Sequence, residues 1–558
     1  MRDLVAFLGD PLRPAGPLTF GQAVADDREE RFPGASLAAL HKWGYPAYQV
    51  PAQLGGRLES VGDLFALGRA VAARDPAVAI LANSPFAAAM PVWLAGTPAQ
   101  RGEVAQAILS GQRVALSLGE DAGVDRTANE TTARRSEAGY VLDGSQGLVS
   151  GVRLARFLCL LVRESERQGL RSPSLLLVDL ARLPPRSFEL LPRISTHGVR
   201  GADIGGIRFH DAPVPGDACI GRPGRGLELA AQSRVVNRTL VPALSLGALD
   251  TALCCTVDFL RRRRLYGGLA TDIPYVQDEL AAAFLDLLVA EVVACSCVRV
   301  LHRLPELSPL SSAVAKYLVP HLVESRMRAL ATVLGARHFL RQDHWFGIFE
   351  KLLRDVRLFS LVHGSAPDAL AALAAQVSCL SATDTEPARA DSLFDPGVEA
   401  GTNGHPFASR EFPTAADEDP VTAGLDAVCG PLEQSAADEA LRDAARLLRA
   451  EGRDVRAQAD QAVDPRSQAG QCLGERYARL FAAVCLARNE LARRAAARSR
   501  LPAPWLAAGL IAVLKPGTRM PRPTSRALFQ ELLRRCTDGL EVAMTSVPDK
   551  EMTHVGNG

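Results

Sequence analysis

The sequence predicts a mainly α-helical fold with a small β domain, built as a sandwich or barrel, then a helical bundle and a C-terminal helical extension. Three observations predict it. Apolar residues recur at three- and four-residue spacing up to about residue 112, short β-rich segments follow, and helical periodicity returns from Gly226 to Ser378. Because helices and strands are segregated along the chain, we expect separate layers and not alternating βαβ units.

Composition places the chain among ordinary globular proteins and excludes several classes. Of its 558 residues 47% are apolar and 22% charged, and the formal net charge is +1. A dedicated nucleic-acid-binding protein would carry a strong basic excess, so no nucleic-acid partner is expected. No run of about 18 uninterrupted apolar residues is present, and the N terminus does not resemble a signal peptide. We therefore expect no transmembrane segment and a cytoplasmic location.

The 11 cysteines agree with this location. They occur singly or as Cys254-Cys255 and Cys295-x-Cys297, and no CxxC pair is present. Zinc sites built on thiolates need that spacing. We therefore expect buried, reduced thiols and no metal site.

Each predicted element follows from a local pattern. Helices are expected at Leu64 to Ala73 and at Pro98 to Leu109, and strands at Arg113–Leu118, Tyr140–Leu142, Phe157–Val162, Ser174–Val178 and Gly206–His210. The predicted domains are an N-terminal helical domain, 1–112; a middle β-domain, 113–222; a C-terminal helical bundle, 223–381; a linker rich in Asp, Glu, Pro, Gly and Thr, 382–424; and a helical extension, 425–558.

Short motifs occur in a fixed order between about residues 95 and 366. They are Gly96-Thr97-Pro98-Ala99-Gln100, Asp125 six residues before Thr131-Thr132-Ala133, Gly139-Tyr140-Val141-Leu142-Asp143-Gly144, the segment Ile207 to Pro215, Arg238 nine residues before Gly247, Arg263-x-x-Tyr266-Gly267 with Gln277 ten residues later, Ala315-Lys316 and Arg354-Asp355. In this order they resemble the acyl-CoA dehydrogenase family.

The resemblance implies a fold and a cofactor. In that family a helical N-terminal domain, a β-domain and a helical bundle hold FAD between the β-domain and the bundle. The extension after residue 425 is similar in placement to that of the very-long-chain members, where it supports dimerisation and membrane-surface contact. A homodimer is therefore expected, with an electron-acceptor protein as a further candidate partner.

The resemblance also assigns cofactor-binding residues. Leu116, Ser117 and Ser150 would line the flavin ring, whereas Leu148 stands where the family usually has Trp. Arg263 would reach a phosphate of FAD in the neighbouring subunit, with Gln277 nearby, although Arg263 also reads as one solvated charge in a run of four arginines. Of the family's Gly-Gly-x-Gly turn only Gly335 remains. The Cβ atoms of the residues that replace the other glycines restrict how closely this backbone can approach FAD.

The usual catalytic glutamate is replaced. Counting from Arg354-Asp355, its position holds His363, and the alternative position used by some members holds Asn237. A neutral imidazole accepts protons, so His363 is the candidate base, with a helix-end capping role as the alternative. Glu120 and Asp121 are the nearest acidic residues by resemblance and read more simply as turn formers. Arg238 is the candidate substrate-binding residue, with a structural ion pair equally plausible.

Three functions stay open on these residues. The first is an FAD-dependent acyl-CoA dehydrogenase-like oxidoreductase acting on an acyl thioester of CoA or a carrier protein, with an atypical or biosynthetic role because the glutamates are lost. The second is a flavin-dependent monooxygenase. The third is a catalytically degenerate homologue that serves as an assembly subunit. In the extension, a basic helix end offers either a solvated face or contact with anionic lipid or an acidic carrier protein: Arg488, Arg493, Arg494, Arg498 and Arg500.

Overall fold

The computed structural model describes most of the chain. The described residues are 2–118, 131–165, 169, 173–380, 393–394, 413–416, 419, 421–435, 438–461, 463–496 and 501–537. The chain divides into two compact units. The first comprises Met1–Ala248, His338–His363 and Asn403–Ala415; the second comprises Leu249–Arg337, Gly364–Thr402 and Ala416–Gly558.

The helices of the first unit begin and end where the sequence offers capping groups. Asp75 accepts a hydrogen bond from the backbone of Ala77 at the start of one helix, and Thr97 and Gln100 form a capping box at the start of the next. The helices are α1 (Arg2–Leu8), α2 (Phe20–Arg28), α3 (Gly34–Trp43), α4 (Val61–Ala72), α5 (Pro76–Ala95), α6 (Pro98–Leu109), α7 (Gly226–Leu240), the first part of α8 (Pro242–Leu260), α11 (Ile348–Asp355) and α12 (Arg357–Leu361).

The first unit also contains one seven-stranded sheet among the described residues. Its strands are β1 (Arg113–Ser117), β2 (Thr132–Ser136), β3 (Gly139–Ser150), β4 (Ala155–Glu164), β5 (Pro173–Asp179), β6 (Phe188–Leu190) and β7 (Ile204–Pro215). The order is β1-β4-β2-β3-β7-β6, and β5 pairs with β4. The β1–β4 and β2–β4 pairs are parallel and the others antiparallel. Alternate apolar residues such as Leu142, Leu160 and Ile207 fill its core and are fully buried.

In its described residues, the second unit is helical apart from a two-stranded hairpin. It contains the rest of α8, the strands β8 (Arg264–Leu265) and β9 (Gly268–Leu269), α9 (Pro274–Arg303), α10 (Ser308–Leu334), α13 (Ala366–Val377), α14 (Leu425–Glu433), α15 (Glu439–Ala459), α16 (Gln468–Ala495), α17 (Trp505–Leu514) and α18 (Arg522–Thr537). Helix α16 packs on α13 and α9, and α18 packs on α9. The helices beyond residue 425 are therefore part of the same compact unit as α9 and α10.

Within the described residues, four helical stretches have the length and composition to cross a membrane: Pro76–Ala95, Gly226–Leu260, Pro274–Arg303 and His344–Val377. In the first three, 72%, 83% and 89% of the apolar window is buried inside the protein, as in core helices, and in the last 22% is buried. The last stretch is interrupted by non-helical backbone at Trp345 and Phe346. The absence of a membrane-spanning segment stays a prediction.

The predicted fold class is confirmed: in its described residues the chain is mainly helical and carries a small β-domain whose strands lie between residues 113 and 215. The predicted domain boundaries remain predictions. The residues of the predicted linker are mostly outside the described part of the chain.

Candidate functional site

A left-handed turn holds His363 in the first unit. Its φ is 60°, a region that non-glycine residues seldom adopt, and it follows the end of α12 at Leu361. The Arg238 Nε atom, on α7, donates a hydrogen bond of 2.7 Å to the His363 carbonyl oxygen. The imidazole is half-buried. Arg238 therefore contacts the backbone that carries the predicted base, and helps to offset the cost of about 1–3 kcal/mol for such a conformation.

Asn237, in the alternative base position on α7, donates a hydrogen bond to the backbone of α5. Proline has no N–H, so Pro91 in the interior of α5 leaves the Ala87 carbonyl without its helical donor. The Asn237 Nδ2 atom donates to this carbonyl oxygen at 3.2 Å. A carboxylate at position 237 has no proton to donate there. The Asn237 side chain is buried, and its Oδ1 atom has no hydrogen-bond partner in the described part of the chain.

Pro85 creates the same deficit six residues earlier in α5. It leaves the Leu81 carbonyl without a helical donor, and the Arg113 guanidinium, at the start of β1, donates to that oxygen and to the Ser84 hydroxyl. Burial lowers the pKa of Arg113, and Asp203 partly opposes this. Both α5 carbonyls that lose a helical donor to proline therefore accept hydrogen bonds from side chains of elements distant in sequence.

The predicted ring-lining residues divide between the two faces of the sheet. The Ser117 hydroxyl is buried and donates to the Gln146 Oε1 atom at 2.7 Å, and Gln146 Nε2 donates to the Thr131 hydroxyl at 2.7 Å. This network uses the Ser117 side chain inside the β-domain. Leu116, next to it, is half-buried on the opposite face of β1.

Leu148 and Ser150 lie on one exposed face of β3. A register shift between Gln146 and Val149 changes which side chains point inward, so Val149 is buried while Leu148 is 55% exposed and Ser150 is exposed. An exposed apolar side chain beside a hydroxyl is a surface on which a planar polar ring can rest. The predicted contact of Ser150 with a flavin ring stays a prediction.

The remaining predicted cofactor contacts belong to the second unit. The β8–β9 hairpin turns at Tyr266 and Gly267, both with positive φ as a tight two-residue turn requires, and Tyr266 is 97% exposed. Arg263 is half-buried, with its guanidinium carbon 5.8 Å from the centre of the Phe259 ring. The assignment of Arg263 to a phosphate of FAD stays a prediction.

Gln277 and Gly335 have local roles as well. The Gln277 Nε2 atom donates to the Thr271 carbonyl at 2.9 Å, at the start of α9. Gly335 ends α10 with φ 62° and ψ −145°, and a Cβ atom added there would meet no atom within 4 Å. The backbone angle, and not crowding inside the protein, therefore favours glycine at this position.

Sequence reasoning missed an ion network that fixes the segment before His363. The Lys351 Nζ atom is fully buried and lies 2.6 Å from both Asp75 Oδ1 and Asp355 Oδ2. Burial alone would lower the pKa of Lys351, but the two carboxylates raise it overall. Asp355 also accepts a hydrogen bond of 2.6 Å from the backbone of Val199. The sequence contained one indication of this network, because Lys351 and Asp355 are four residues apart, the spacing of an ion pair on one helix face.

Arg354 completes this network. Its guanidinium donates to both Asp27 carboxylate oxygens, with the shorter contact at 2.6 Å, and pairs with Glu350 at 2.6 Å. Burial opposes the charge of Arg354, but the hydrogen bonds of Glu350 and Asp27 raise its pKa overall. The Arg354-Asp355 motif therefore joins α11 to α2 and to the loop before β7.

Other predicted residues have simpler outcomes. Glu120 and Asp121 lie outside the described residues, as do Arg498 and Arg500. Arg488 is buried and donates to the Val421 and Ala423 carbonyls, so it is not part of an exposed basic end. Within the described ranges, no cluster of three or more His, Cys, Asp or Glu residues is arranged to hold a metal ion.

Comparison with protein families and solved structures finds consistent similarities. Residues 224–377 match the model of the acyl-CoA dehydrogenase C-terminal domain. The chain is 25% identical over 265 residues to the human mitochondrial short-chain specific acyl-CoA dehydrogenase, covering 47% of this chain and 64% of that protein, which is less than two thirds of its length.

Two solved structures share the fold. An acyl-CoA dehydrogenase from Bacillus anthracis, complexed with FAD, superposes with a TM-score of 0.70 at 14% identity and covers 93% of this chain and 91% of that chain. The prolyl acyl carrier protein oxidase AnaB gives a TM-score of 0.60 at 18% identity and covers 67% of this chain and 96% of that chain. The first similarity extends over the helices beyond residue 425, since it covers nearly the whole chain.

Proposed function

We propose that the chain is an acyl-CoA dehydrogenase family member that acts as an FAD-dependent oxidoreductase on an acyl thioester, because residues 224–377 match the model of that family's C-terminal domain. The family-model match carries this proposal. The similarity to an FAD-complexed acyl-CoA dehydrogenase over 93% of the chain supports the cofactor. The similarity to a carrier protein oxidase makes a carrier-protein thioester a candidate substrate beside acyl-CoA.

Three of the predicted residues are assigned to the cofactor in this proposal. Leu116 and Ser150 are proposed to contact the ring, with the Ser150 hydroxyl as donor, and Arg263 to contact a phosphate. FAD, when bound, supplies a hydride acceptor for the substrate. The exposed hairpin at Tyr266 supports the proposal that Arg263 serves the site of a neighbouring subunit, and hence a homodimer.

His363 is the proposed base. Its imidazole would take the α-proton of the thioester, because no carboxylate occupies either glutamate position. Arg238 is a positioning residue in this proposal, since it donates a hydrogen bond to the His363 carbonyl oxygen. The loss of both glutamates supports an atypical or biosynthetic substrate over routine fatty-acid degradation.

The first test is the absorption spectrum of the purified protein. A flavin band, followed by anaerobic bleaching on addition of an acyl thioester, is the expected result. Protein without bound flavin would instead indicate the assembly subunit, for which the loss of all but Gly335 from the glycine turn is the supporting observation. Bound flavin that no acyl thioester bleaches would contradict the dehydrogenase proposal.

The second test addresses His363. His363→Ala should slow anaerobic bleaching by about 100-fold or more, the usual contribution of a general base. His210→Ala is the control, because His210 lies on β7 and its side chain is 52% exposed. Equal bleaching rates in the two variants would exclude His363 as the base.

A further inference from the structure

Two cysteines far apart in sequence meet in the second unit. Cys254 lies on α8 and Cys536 near the end of α18, and a hydrogen bond joins their thiol groups. Both side chains are partly exposed. The pair therefore differs from a lone thiol, because each sulfur has a second sulfur as its neighbour.

The position of α18 is fixed by its own packing. Leu528, Phe529 and Leu532 are buried, and the Ser525 hydroxyl donates to Asp278 on α9 at 2.6 Å. Near the other end of α18, the Arg535 guanidinium carbon lies 5.8 Å from the centre of the Phe284 ring of α9. Cys536 directly follows this arginine, so contact with Cys254 belongs to a packed helix.

The charges around the pair favour ionisation of one of its two sulfurs. The hydrogen bond with Cys254 lowers the pKa of Cys536, and Arg261 and Arg535 add to this effect against burial and Asp258. The same bond, with burial and the charge of Asp250, raises the pKa of Cys254 well above its ordinary value. Cys536 is therefore the nucleophilic sulfur, and Cys254 is the thiol beside it.

The residues of α8 that act on Cys536 lie on one face of that helix. Cys254, Asp258 and Arg261 are spaced at four and three residues, which places them on one face of a helix. All three act on Cys536. The thiol of Cys536 therefore faces this side of α8, between an acid, a cation and a second thiol.

We propose that Cys254 and Cys536 are a redox modification site, in which a hydroperoxide converts the two thiols into a reversible disulfide that ties α18 to α8. Nothing in this proposal depends on the flavin chemistry. A thiolate with a neighbouring thiol is the arrangement that peroxide-sensing cysteines require.

The chemistry balances with one equivalent of hydrogen peroxide. The Cys536 thiolate attacks one peroxide oxygen, the O–O bond breaks, and Cys536 becomes a sulfenic acid while the other oxygen leaves as water. The Cys254 sulfur then attacks the Cys536 sulfur and a second water leaves. Two thiols lose two electrons and two protons, and one peroxide becomes two waters. A dithiol reductant reverses the modification.

The remaining cysteines supply controls within the same chain. Cys255, beside Cys254, is buried, and burial raises the pKa of its thiol far above the ordinary range. Cys379 and Cys472 are exposed. Exposure alone predicts that Cys379 and Cys472 oxidise first, whereas the proposal predicts Cys254 and Cys536.

The experiment treats the full-length native protein with hydrogen peroxide, alkylates the remaining thiols and maps tryptic peptides by mass spectrometry. Cleavage after arginine and lysine gives peptides 239–261 and 536–550, which contain the pair. The expected result is a disulfide between these peptides and a fall from eleven to nine titratable thiols, both reversed by dithiothreitol.

Variants make the result specific. The cross-linked peptide should persist in Cys255→Ser and disappear in Cys254→Ser, in which dimedone should trap the sulfenic acid on Cys536. Oxidation of Cys379 or Cys472 with Cys254 and Cys536 still alkylated would overturn the proposal, as would a cross-link through Cys255. Wild-type mapping decides the question even where a variant does not fold.

Discussion

At the scale of single residues, the prolines of α5 determine what position 237 can hold. Pro91 removes the helical donor to the Ala87 carbonyl, and Asn237 supplies another one. An ionised glutamate at 237 could not donate to that half-buried carbonyl, and only a protonated one could replace the Asn237 donor. The absence of a second base is thus coupled to the shape of α5, which leaves His363 as the candidate.

This coupling predicts a rescue. Asn237→Leu should lower the free energy of unfolding by about 1–3 kcal/mol, because the Ala87 carbonyl loses its donor. Pro91→Ala restores a backbone N–H to that carbonyl, so the same Asn237→Leu change should cost clearly less in the Pro91→Ala background. Urea unfolding of the four proteins gives the cycle.

Pro85→Ala is the matched control, because the carbonyl that Pro85 leaves without a helical donor, that of Leu81, accepts from Arg113 and not from Asn237. Asn237→Leu should cost as much in the Pro85→Ala background as in the wild type. Equal costs in both proline backgrounds would show that Asn237 does not compensate for the donor missing at Pro91.

Gly247 gives a second prediction at this scale. A Cβ atom there would lie 2.3 Å from the Arg69 carbonyl oxygen, so α8 approaches α4 closely. Gly247→Ala should destabilise the protein by about 1–3 kcal/mol through this overlap. Gly102→Ala on α6 meets nothing within 4 Å and should be neutral or stabilising. Equal melting temperatures for the two variants would contradict the close approach.

At the residue level, the sequence predicted which positions matter but not which atoms they contact. The motif register located His363 and Arg238 separately, but they are 125 residues apart and meet through a backbone carbonyl. A carbonyl is common to every residue, so no side-chain pattern signals that bond. Ser117 shows the same limit, because its hydroxyl is used by Gln146 inside the β-domain.

At the scale of elements, periodicity predicted helices better than strands. The helix Pro98–Leu109 is found as predicted, whereas the strand expected at Tyr140–Leu142 extends over Gly139–Ser150. Register shifts beside Gly144 and between Gln146 and Val149 interrupt the alternation of buried and exposed residues. Since alternation is the signal for a strand, a bulged strand is predicted short.

Helix α11 carries a prediction of its own. Lys351→Met removes the cation between Asp75 and Asp355, which are both buried, and should lower the free energy of unfolding by about 3–5 kcal/mol at neutral pH. Protonation of the unpaired carboxyls relieves the cost, so the deficit should shrink as the pH falls. Urea unfolding at pH 7 and pH 5 measures both effects.

Arg357→Met is the control for that change, because Arg357 is the first residue of α12 and is exposed. Its stability should remain within about 0.5 kcal/mol of the wild type. A Lys351→Met protein as stable as the Arg357→Met protein would mean that the three buried charges contribute nothing to holding α11.

At the scale of the whole molecule, buried thiol and phenol groups make the folding stability depend on pH in alkaline solution. Burial raises the pKa of Cys485 to about 12 from an ordinary 9.0, and burial with Glu475 raises that of Tyr317 to about 12 from 10.0. Each group keeps its proton longer in the folded chain than in the unfolded one. Above pH 9 the unfolded state therefore releases protons first, and stability falls as the pH rises towards 12.

This prediction can be assigned to one thiol. A single fully buried thiol of this kind reduces stability by about 1.4 kcal/mol per pH unit within the window. Cys485→Ala should be less stable than the wild type at pH 8 but should lose less further stability between pH 9 and pH 10.5. Cys472→Ala, at an exposed cysteine, should follow the wild-type slope. Denaturant midpoints across this range measure the slopes, and a Cys485→Ala slope as steep as that of Cys472→Ala would assign the alkaline loss to other groups.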